Sequence, residues 1–255
     1  MKDILSAAGR AALEELARSN VLLGFDYDGT LAPIVARPER ARMRPSTELL
    51  LSEVTRRYPC AVVSGRARRD VLELVGTLSL LRVVGNHGLE WEAPAPSVPR
   101  ETIVRWRNAM LRSCGRIPGV LIEDKTWSIA VHWRRARPKS SVRSLVLAAA
   151  ANIPDARLLH GKDVVNLVHP DAANKGAAIL EIRRQLGCEA ILYVGDDVTD
   201  EDVFALRAPG RILAIRVGRR ARSLASFYLR SQAQIDDMLA SLLALRPAAR
   251  KAVVR

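Results

Sequence analysis

Cysteines, aromatic residues and long apolar runs are all scarce in this sequence of 255 residues. The three cysteines, Cys60, Cys114 and Cys188, are too few and too scattered for a disulfide framework or a cysteine-rich metal site. No apolar run approaches the roughly 18 residues that would span a bilayer. The N-terminal segment 1–20 carries acidic residues and lacks the continuous apolar region of a signal peptide. We therefore expect a cytoplasmic protein without membrane contact.

Acidic residues are outnumbered by basic ones, and the formal net charge is +13 at pH 7. Such a charge is compatible with nucleic-acid binding. The arginines and lysines are spread along the chain, however, and aromatic residues, which would stack on bases, make up only 4% of it. The composition therefore disfavours nucleic acid as the main partner, whereas a basic surface, including the C-terminal tail at 246–255, would attract a small phosphorylated substrate. The sequence leaves the oligomeric state open.

Short apolar segments that end in polar or glycine-containing loops alternate with segments of helical periodicity. The apolar segments have the length of strands that are buried on both faces of a sheet, and they lie at 21–26, 60–65, 82–86, 190–197 and 211–218. Helical patterns occur at 1–20, 46–58, 67–76 and 173–187. This alternation predicts an α/β fold with an open, doubly wound and mostly parallel sheet.

The middle of the chain has a different pattern and predicts a separate unit. Residues 93–99 form a proline-rich link, and two helical segments with intervening strand-like segments follow it. In the stretch from 127 to 133, apolar residues occupy alternate positions, so that one face of this strand is apolar. We predict a smaller α/β domain at 95–169, inserted into a core that comprises 1–94 and 170–255.

Polar residues cluster directly after four of the predicted strands. They are Asp26 and Asp28, Ser64 and Arg66, Asn86 and His87, and Asp196 and Asp197. The carboxyl ends of parallel strands lie along one edge of the sheet, where open α/β sheets bind their ligands. The convergence of four loops therefore predicts a functional site at this edge.

Two carboxylates follow the first of these strands, in the segment FDYDGTL. A carboxylate such as Asp26 can attack phosphorus and form an acyl phosphate. Asp28, two residues later, can donate a proton to the leaving oxygen and accept one from water. An Asp-Gly turn with a solvated acid accounts for the same residues without any chemistry, so the motif is not sufficient by itself.

More acidic residues follow the strand predicted at 190–197, in the segment VGDDVTDED. Asp196, Asp197 and Asp200 would repel one another and Asp26 unless a cation lay among them, and Mg²⁺ prefers such oxygen ligands. Alternatively, acidic residues at these positions could stabilise a helix N-terminus. That alternative does not account well for two acids directly after a buried strand.

Ser64 in VVSGR and Lys175 in NKG are suited to binding a phosphoryl group. A hydroxyl, backbone amides and an ammonium group near a helix N-terminus can all stabilise phosphoryl oxygens. As isolated residues they are better interpreted as an N-cap serine and a surface lysine. Their combination with the two acidic loops favours phosphate chemistry.

The ordered segments DYDGT, SGR, NKG and GDDVTDED resemble the four motifs of haloacid dehalogenase-type phosphatases, and the resemblance extends along nearly the whole chain. It implies a Rossmann-like core, a cap that closes over the substrate, Mg²⁺ as the cofactor and an aspartyl phosphate on Asp26. By this resemblance Asp26 is the nucleophile and Asp28 is the general acid and base. The resemblance assigns phosphate binding to Thr30, Ser64, Gly65 and Lys175, and Mg²⁺ binding to Asp26, the Asp28 carbonyl and Asp196, supported by Asp197 and Asp200.

Further segments are similar to the trehalose-6-phosphate phosphatases. These are GNHGLE at 85–90 and a pattern Lys-x-x-Ser-x-x-x-His-x-Arg that begins at residue 125. The resemblance implies that the substrate is bound by Arg66, Asn86, His87, Glu90, Lys125, Ser128, His132, Arg134 and Asn166. The sequence departs from the family at Asn166, where members usually carry a glutamate, and an amide lacks the charge of a carboxylate.

The sequence thus predicts a phosphatase that converts trehalose 6-phosphate and water into trehalose and phosphate, with a small phosphorylated disaccharide as its partner. A phosphatase for another sugar or glycosyl phosphate is the second interpretation, and Asn166 favours it. A phosphosugar mutase is the third, although no second phosphate site is evident in the sequence. A non-catalytic binding protein, including a nucleic-acid binder, is disfavoured because all four motifs are present.

Overall fold

Two β-sheets with packed helices make up the protein in a computed structural model that describes residues 1–35, 37, 40–92, 99–161, 163–170, 172–207 and 211–246. The predicted link at 93–99 and the basic C-terminal tail fall outside the described residues, except for Pro99 and Arg246. Among the described helices, none combines the length and the apolar character that crossing a bilayer requires.

Strands and helices alternate in the first and last parts of the chain, as the sequence pattern predicts. The strands are β1 (Lys2–Asp3), β2 (Val21–Phe25), β3 (Cys60–Val63), β4 (Arg82–Val84), β5 (Leu121–Asp124), β6 (Ile129–His132), β7 (Arg157–Gly161), β8 (Val164–Val168), β9 (Ala190–Gly195), β10 (Arg211–Val217) and β11 (Phe227–Leu229). The α-helices are α1 (Ala7–Ala17), α2 (Pro45–Thr55), α3 (Arg68–Val75), α4 (Arg100–Cys114), α5 (Lys139–Ala151), α6 (Lys175–Gln185), α7 (Glu201–Phe204) and α8 (Ile235–Leu245). Short 3₁₀ helices lie at Asn86–Gly88 and Gln232–Gln234.

The larger sheet has seven strands in the order β1-β11-β10-β9-β2-β3-β4, and neighbouring strands are parallel throughout. One hydrophobic cluster includes residues of α1, α2 and α8, and a separate cluster includes residues of α6 and α7. Helices thus cover both faces, which confirms the predicted doubly wound α/β fold. The inner strands are buried on both faces, and this is why they form continuous apolar runs in the sequence.

The strand order reverses between β2 and β9. The strands β3 and β4 follow on one side of β2, whereas β9, on its other side, comes from much later in the chain. Phe25 is the register partner of Val194 in this central ladder. Open α/β sheets bind ligands outside such a switch point, and Asp26 and Asp196 directly follow these two strands.

The prediction of a helical pattern over all of 1–20 is wrong for the first residues of this segment. Lys2–Asp3 form an edge strand parallel to β11, and α1 begins only at Ala7. The Ser6 side chain accepts a hydrogen bond from Gly9 N and caps this helix. Strands as short as β1 and β11 give no recognisable apolar run, so hydrophobic periodicity does not reveal them.

The smaller sheet has four antiparallel strands in the order β5-β6-β8-β7, and residues of α4 and α5 share its hydrophobic cluster. These elements lie within the range 95–169, and the exact domain limits stay a prediction. The predicted alternation holds in β6, because Ile129 and Val131 pack in the cluster while His132 lines a cavity. The partly exposed β5 and β7 lack such a pattern and were not predicted.

The hydrophobic cluster of the smaller sheet should depend on Leu167 of β8, which is fully buried in it. We expect Leu167→Ala to lower the free energy of unfolding by about 2–5 kcal/mol, because it removes buried apolar contacts and leaves a cavity. Leu145→Ala on α5 is the matched control, since Leu145 is 59% exposed, and its effect should stay within about 0.5 kcal/mol. Urea unfolding followed by circular dichroism measures both variants. Equal losses of stability would contradict the placement of Leu167 in the core.

Candidate active site

A cavity of about 1060 Å³ lies between the carboxyl edge of the parallel sheet and the antiparallel sheet. Thirteen of the residues predicted from the sequence lie on its wall: Asp26, Asp28, Ser64, Gly65, Arg66, His87, Lys125, His132, Arg134, Asn166, Lys175, Asp196 and Asp197. The other predicted residues, Thr30, Asn86, Glu90, Ser128 and Asp200, are not on the wall. Both sheets therefore contribute predicted residues to one cavity.

Three carboxylates meet at the switch point of the parallel sheet. One carboxylate oxygen from each of Asp26, Asp196 and Asp200 lies within 4.8 Å of the other two. Gly29 permits this approach, because a Cβ atom there would lie only 2.2 Å from Asp196 Oδ2. Its φ of +80° is also one that glycine adopts without strain. The turn after β2 thus packs directly against the acidic segment before α7. Asp26, Asp196 and Asp200 are called the three-carboxylate group below.

The ammonium group of Lys175 lies between two of these carboxylates. Its Nζ atom is 3.0 Å from Asp26 Oδ1 and 2.8 Å from Asp200 Oδ1. The Tyr193 hydroxyl donates a hydrogen bond to the same Asp200 oxygen at 2.9 Å. Lys175 is the first residue of α6, which the Asn174 side chain caps, so the start of the helix fixes its backbone. With an exposure of 1%, Lys175 is not a surface lysine.

Ionising all three of these buried carboxyl groups is unfavourable in the absence of a cation. Three carboxyl groups, those of Asp26, Asp196 and Asp200, lie together, and the ammonium group of Lys175 pairs with two of them. Burial raises the pKa of Asp26 well above its ordinary value and raises the pKa of Asp196 to about 7. Burial lowers the pKa of Lys175, but the carboxylates of Asp200 and Asp26 outweigh it and raise the pKa overall.

One oxygen of the Asp196 carboxylate is available as a cation ligand. Its Oδ1 atom is buried and forms no hydrogen bond with any described residue. A buried carboxylate oxygen without a partner is unfavourable unless a cation or a donor satisfies it. Because a cation would also favour the ionised form of the neighbouring carboxyl groups, the cluster of Asp26, Asp196 and Asp200 is suited to a hard divalent cation.

The loops after β3 and β4 pack tightly against each other. His87 N donates a hydrogen bond to Ser64 O at 2.9 Å. A Cβ atom on Gly65 would lie 2.4 Å from Cε1 of the His87 ring, so this contact requires the glycine of the SGR motif. Ser64 is not a helix N-cap, since Ala67 precedes α3. Its Oγ accepts a hydrogen bond from Arg66 N at 3.2 Å.

Asp28 and Arg66 form a two-pronged ion pair on the cavity wall. Arg66 Nε and Nη2 donate to the two Asp28 carboxylate oxygens, both at 2.6 Å. The guanidinium group also lies over the Tyr27 ring, with Cζ 5.7 Å from the ring centroid. Such bidentate geometry fixes the orientation of a carboxylate. The predicted proton donor and a predicted substrate residue are therefore coupled.

A hydrogen-bond network behind the wall joins the antiparallel sheet to the core. Asn86 Nδ2 donates to Glu90 Oε2 at 2.7 Å and to Lys125 O at 3.2 Å. Ser128 Oγ donates to Asn86 Oδ1 at 3.0 Å, and Lys125 Nζ donates to Gly65 O at 2.9 Å. These contacts connect Asn86, Glu90 and Ser128 to Lys125, and substrate binding by these three residues stays a prediction.

Glu123 of β5 lies on the cavity wall and was not among the predicted residues. Its Oε2 atom is 2.9 Å from His132 Nε2. Burial tends to raise the pKa of Glu123, but the hydrogen bond with His132 and the charge of Lys125 hold the pKa below its ordinary value. Glu123 lies two residues before Lys125, which begins the recognition pattern, and this proximity was the available signal.

His87 and Asn166 are buried at the wall and carry polar atoms without partners. Both His87 ring nitrogens and Asn166 Oδ1 lack a well-formed hydrogen bond with any described residue. Burial and the charges of Lys125 and Lys175 hold the pKa of His87 well below its ordinary value, with contact to Asn166 acting in the opposite direction. The pair therefore offers uncharged donors and acceptors to the cavity at neutral pH.

The remaining predicted residues have different surroundings. Thr30 Oγ1 is buried without a hydrogen-bond partner among the described residues. Asp197 N donates to Asp200 Oδ2 at 2.9 Å, while the Asp197 side chain lies outside the three-carboxylate group. Metal binding by the Asp28 carbonyl stays a prediction. Arg216 also reaches the wall and was not predicted, although an arginine inside the apolar run 211–218 was a signal for it.

The chain is similar to proteins of one group in both sequence and fold. A sequence profile described as Trehalose-phosphatase matches residues 24–226. The chain is 32% identical to probable trehalose-phosphate phosphatase 9 of Oryza sativa subsp. japonica, over 93% of this chain and 74% of that protein. Its fold matches the C-terminal domain of C. albicans trehalose-6-phosphate phosphatase with a TM-score of 0.76 at 22% identity, over 92% of this chain and 96% of that one. Aspergillus fumigatus trehalose-6-phosphate phosphatase matches with a TM-score of 0.64 at 25% identity, over 95% and 98% of the two chains.

The approach of Asp196 to the turn after β2 can be tested at Gly29. We expect Gly29→Ala to weaken binding of a divalent cation by at least about tenfold, because its Cβ atom would displace the Asp196 carboxylate. Calorimetric titration of the metal-free protein with MgCl₂ measures this. Gly187→Ala is the matched control, since Gly187 also has a positive φ but a Cβ atom there would meet nothing within 4 Å. An equal effect of both variants would show that backbone strain alone is responsible.

Proposed function

Because the chain belongs to the trehalose-phosphatase family, we propose that it hydrolyses trehalose 6-phosphate to trehalose and phosphate with Mg²⁺ as its cofactor. The family is one of phosphoric monoester hydrolases. The observation that carries the proposal is the meeting of Asp26, Asp196, Asp200 and Lys175 at the ends of adjacent strands. Such a set can hold a nucleophilic carboxylate, a divalent cation and a phosphoryl group together.

Asp26 is the nucleophile in this proposal. Its carboxylate oxygen attacks phosphorus, the bond from phosphorus to the sugar oxygen breaks, and an aspartyl phosphate forms. Asp28 donates a proton to the departing sugar oxygen and later accepts one from the water that attacks phosphorus, which releases phosphate and restores Asp26. The bidentate contact with Arg66 fixes the orientation of the Asp28 carboxylate in its ionised form, which is the form that accepts a proton from water.

The residues that would hold Mg²⁺ are Asp26, Asp196 and Asp200, with Asp197 in support and the Asp28 carbonyl as a further ligand implied by the resemblance. When bound, the cation supplies positive charge that offsets the charge of the phosphoryl group. The protein's own contribution is to keep three carboxylates together despite their repulsion. Lys175 supports this by pairing with two of them.

Ser64, Gly65 and Lys175 are the residues to which we assign the phosphoryl oxygens. They line the same cavity as Asp26, and Lys175 contacts Asp26 directly. Donors that are fixed before the substrate binds stabilise the charge of the transferred group without reorganisation. Phosphate binding by Thr30 stays a prediction, because its hydroxyl lies off the wall.

The sugar contacts belong to the side of the cavity formed by the antiparallel sheet. The side chains available there are Glu123, Lys125, His132, Arg134 and Asn166, with Arg66 and His87 opposite. Lys125 Nζ donates to Gly65 O at 2.9 Å, and Arg134 Nη1 donates to Val35 O at 2.6 Å, so the two sides are hydrogen-bonded to each other. A closed arrangement of this kind excludes bulk water and favours transfer to the enzyme.

A phosphatase for another sugar or glycosyl phosphate is the second candidate function. The uncharged pair of Asn166 and His87 favours it, because this pair takes the place of the glutamate that the resemblance leads us to expect at residue 166. An amide can accept and donate hydrogen bonds, but it does not offer hydroxyl groups a negative charge. The identity of the sugar therefore depends on this part of the wall.

The substrate class, a small phosphorylated sugar, follows from the family. The cytoplasmic location and the absence of nucleic-acid and membrane partners stay predictions from composition.

Replacement of the nucleophile tests the mechanism. We expect Asp26→Asn to lower the rate of phosphate release from trehalose 6-phosphate by more than about 10³-fold, because an amide is not an effective nucleophile towards phosphorus. The circular dichroism spectrum should be unchanged. Asp237→Asn, at an exposed position on α8, is the matched control and should retain full activity. Turnover by Asp26→Asn at the rate of this control would refute the nucleophile assignment.

A panel of phosphorylated sugars tests the substrate. We expect kcat/KM for trehalose 6-phosphate to exceed that for glucose 6-phosphate and for other disaccharide phosphates, because the chain belongs to the trehalose-phosphatase family and the cavity carries many polar side chains for sugar hydroxyl groups. Phosphate release measured under identical Mg²⁺ concentrations gives the comparison. A tenfold preference for another ester would reject trehalose 6-phosphate and favour the second candidate function.

A further inference from the structure

Arg216 is a buried arginine near the end of β10. The residues on either side of it, Ile215 and Val217, belong to the cluster with α1 and α8, so Arg216 lies on the same sheet face as Ala214, towards α6 and α7. It is only 5% exposed. A buried guanidinium group is unfavourable unless it is paired, so its contacts should account for its presence in an apolar strand.

The guanidinium group binds the acidic segment that follows β9. Its Nη2 atom donates to Asp196 O, and its Nη1 atom donates to Asp197 O at 3.1 Å. Nη1 also donates to Glu201 Oε1 at 3.0 Å, and the other Glu201 oxygen accepts a hydrogen bond from Leu224 N at 2.9 Å. Arg216 therefore connects the backbone of two consecutive acidic residues to the start of α7 and, through Glu201, to the segment after β10.

We propose that Arg216 and Glu201 are positioning residues that hold the backbone of the segment 196–200 in the conformation required for cation binding. The inference rests on the proposed function, which requires a cation at Asp26, Asp196 and Asp200. The guanidinium contacts are with the carbonyls of Asp196 and Asp197, so Arg216 acts through the orientation of these residues.

Positioning is needed because the carboxylates repel one another before the cation arrives. The segment would relieve this repulsion by moving the Asp196 carboxylate away from Asp26. Hydrogen bonds from one planar guanidinium group to two consecutive carbonyls oppose that movement, and the ion pair with Glu201 fixes the guanidinium group in turn. Residues that orient metal ligands typically change metal affinity or activity by about 10–100-fold when they are replaced.

The charge of Arg216 and its hydrogen bonds to the carbonyls are expected to change Mg²⁺ affinity in opposite directions. A positive charge near the site repels Mg²⁺, so loss of the charge alone would tighten Mg²⁺ binding. Loss of the hydrogen bonds to the carbonyls would weaken it. Arg216→Lys separates these effects, because lysine keeps the charge but lacks the planar fork that reaches several acceptors.

Calorimetric titration of the metal-free, full-length protein with MgCl₂, in the absence of substrate, tests the proposal. We expect the Mg²⁺ dissociation constant of Arg216→Lys to rise by about tenfold or more. At saturating Mg²⁺, kcat should recover and the KM for trehalose 6-phosphate should stay unchanged, a combination that a general loss of folding does not produce. Arg219→Lys is the matched control, since Arg219 is exposed after the same strand and its guanidinium group lies over the Tyr228 ring.

A wild-type Mg²⁺ dissociation constant in Arg216→Lys would overturn the positioning role and leave the phosphatase proposal standing. If Arg216→Lys does not fold, Glu201→Asp replaces it, because it keeps the negative charge but shortens the reach to Arg216 and Leu224. Unchanged Mg²⁺ affinity in that variant would equally overturn the proposal. Conversely, weaker Mg²⁺ binding by the variants together with no hydrolysis of trehalose 6-phosphate by the wild type would reject the substrate and retain the positioning role.

Discussion

The contact of the buried Lys175 ammonium group with Asp26 and Asp200 is the interaction on which the site depends. It lies where the strand order reverses, so the sheet itself brings the carboxylates of β2 and β9 together. A buried ion pair of this kind contributes little net stability, because removing the charges from water offsets their attraction. The arrangement is understandable as a functional one, in which the fold keeps several buried carboxyl groups together and Lys175 provides a positive charge beside them.

Much of the fold was predictable because the central strands are buried on both faces and therefore apolar throughout. The short strands β1 and β11 were not, since pairing between the two ends of the chain leaves no local pattern. For the site, the strand ends identified Asp26 and Asp196, because a carboxylate directly after a buried parallel strand lies at the sheet edge where ligands bind. The burial of Lys175 was not predictable in this way, because local sequence does not distinguish a surface lysine from one buried against two carboxylates.

The spacing of residues in the sequence also does not reveal whether a side chain faces the cavity or lies behind its wall. Asn86 and Ser128 match a recognition motif, and their side chains are hydrogen-bonded to each other, to Glu90 and to the backbone of Lys125. Lys125 Nζ in turn donates a hydrogen bond to the Gly65 carbonyl, in the loop assigned to phosphate binding. The loop for the phosphate and the residues for the sugar are therefore one connected structure, so a change in either is expected to affect the other.

The pairing of Phe25 with Val194 has a consequence for the synthesis of the protein. Ribosomes add about 5–20 residues per second, so roughly 10–30 s pass between the emergence of β2 and that of its partner β9. During this interval β2, β3 and β4 can form only part of a sheet, with an unpaired apolar edge of the kind that associates with other chains. A nascent chain at this stage needs shielding by a chaperone or by its own helices, and slow translation after β4 would lengthen its exposure.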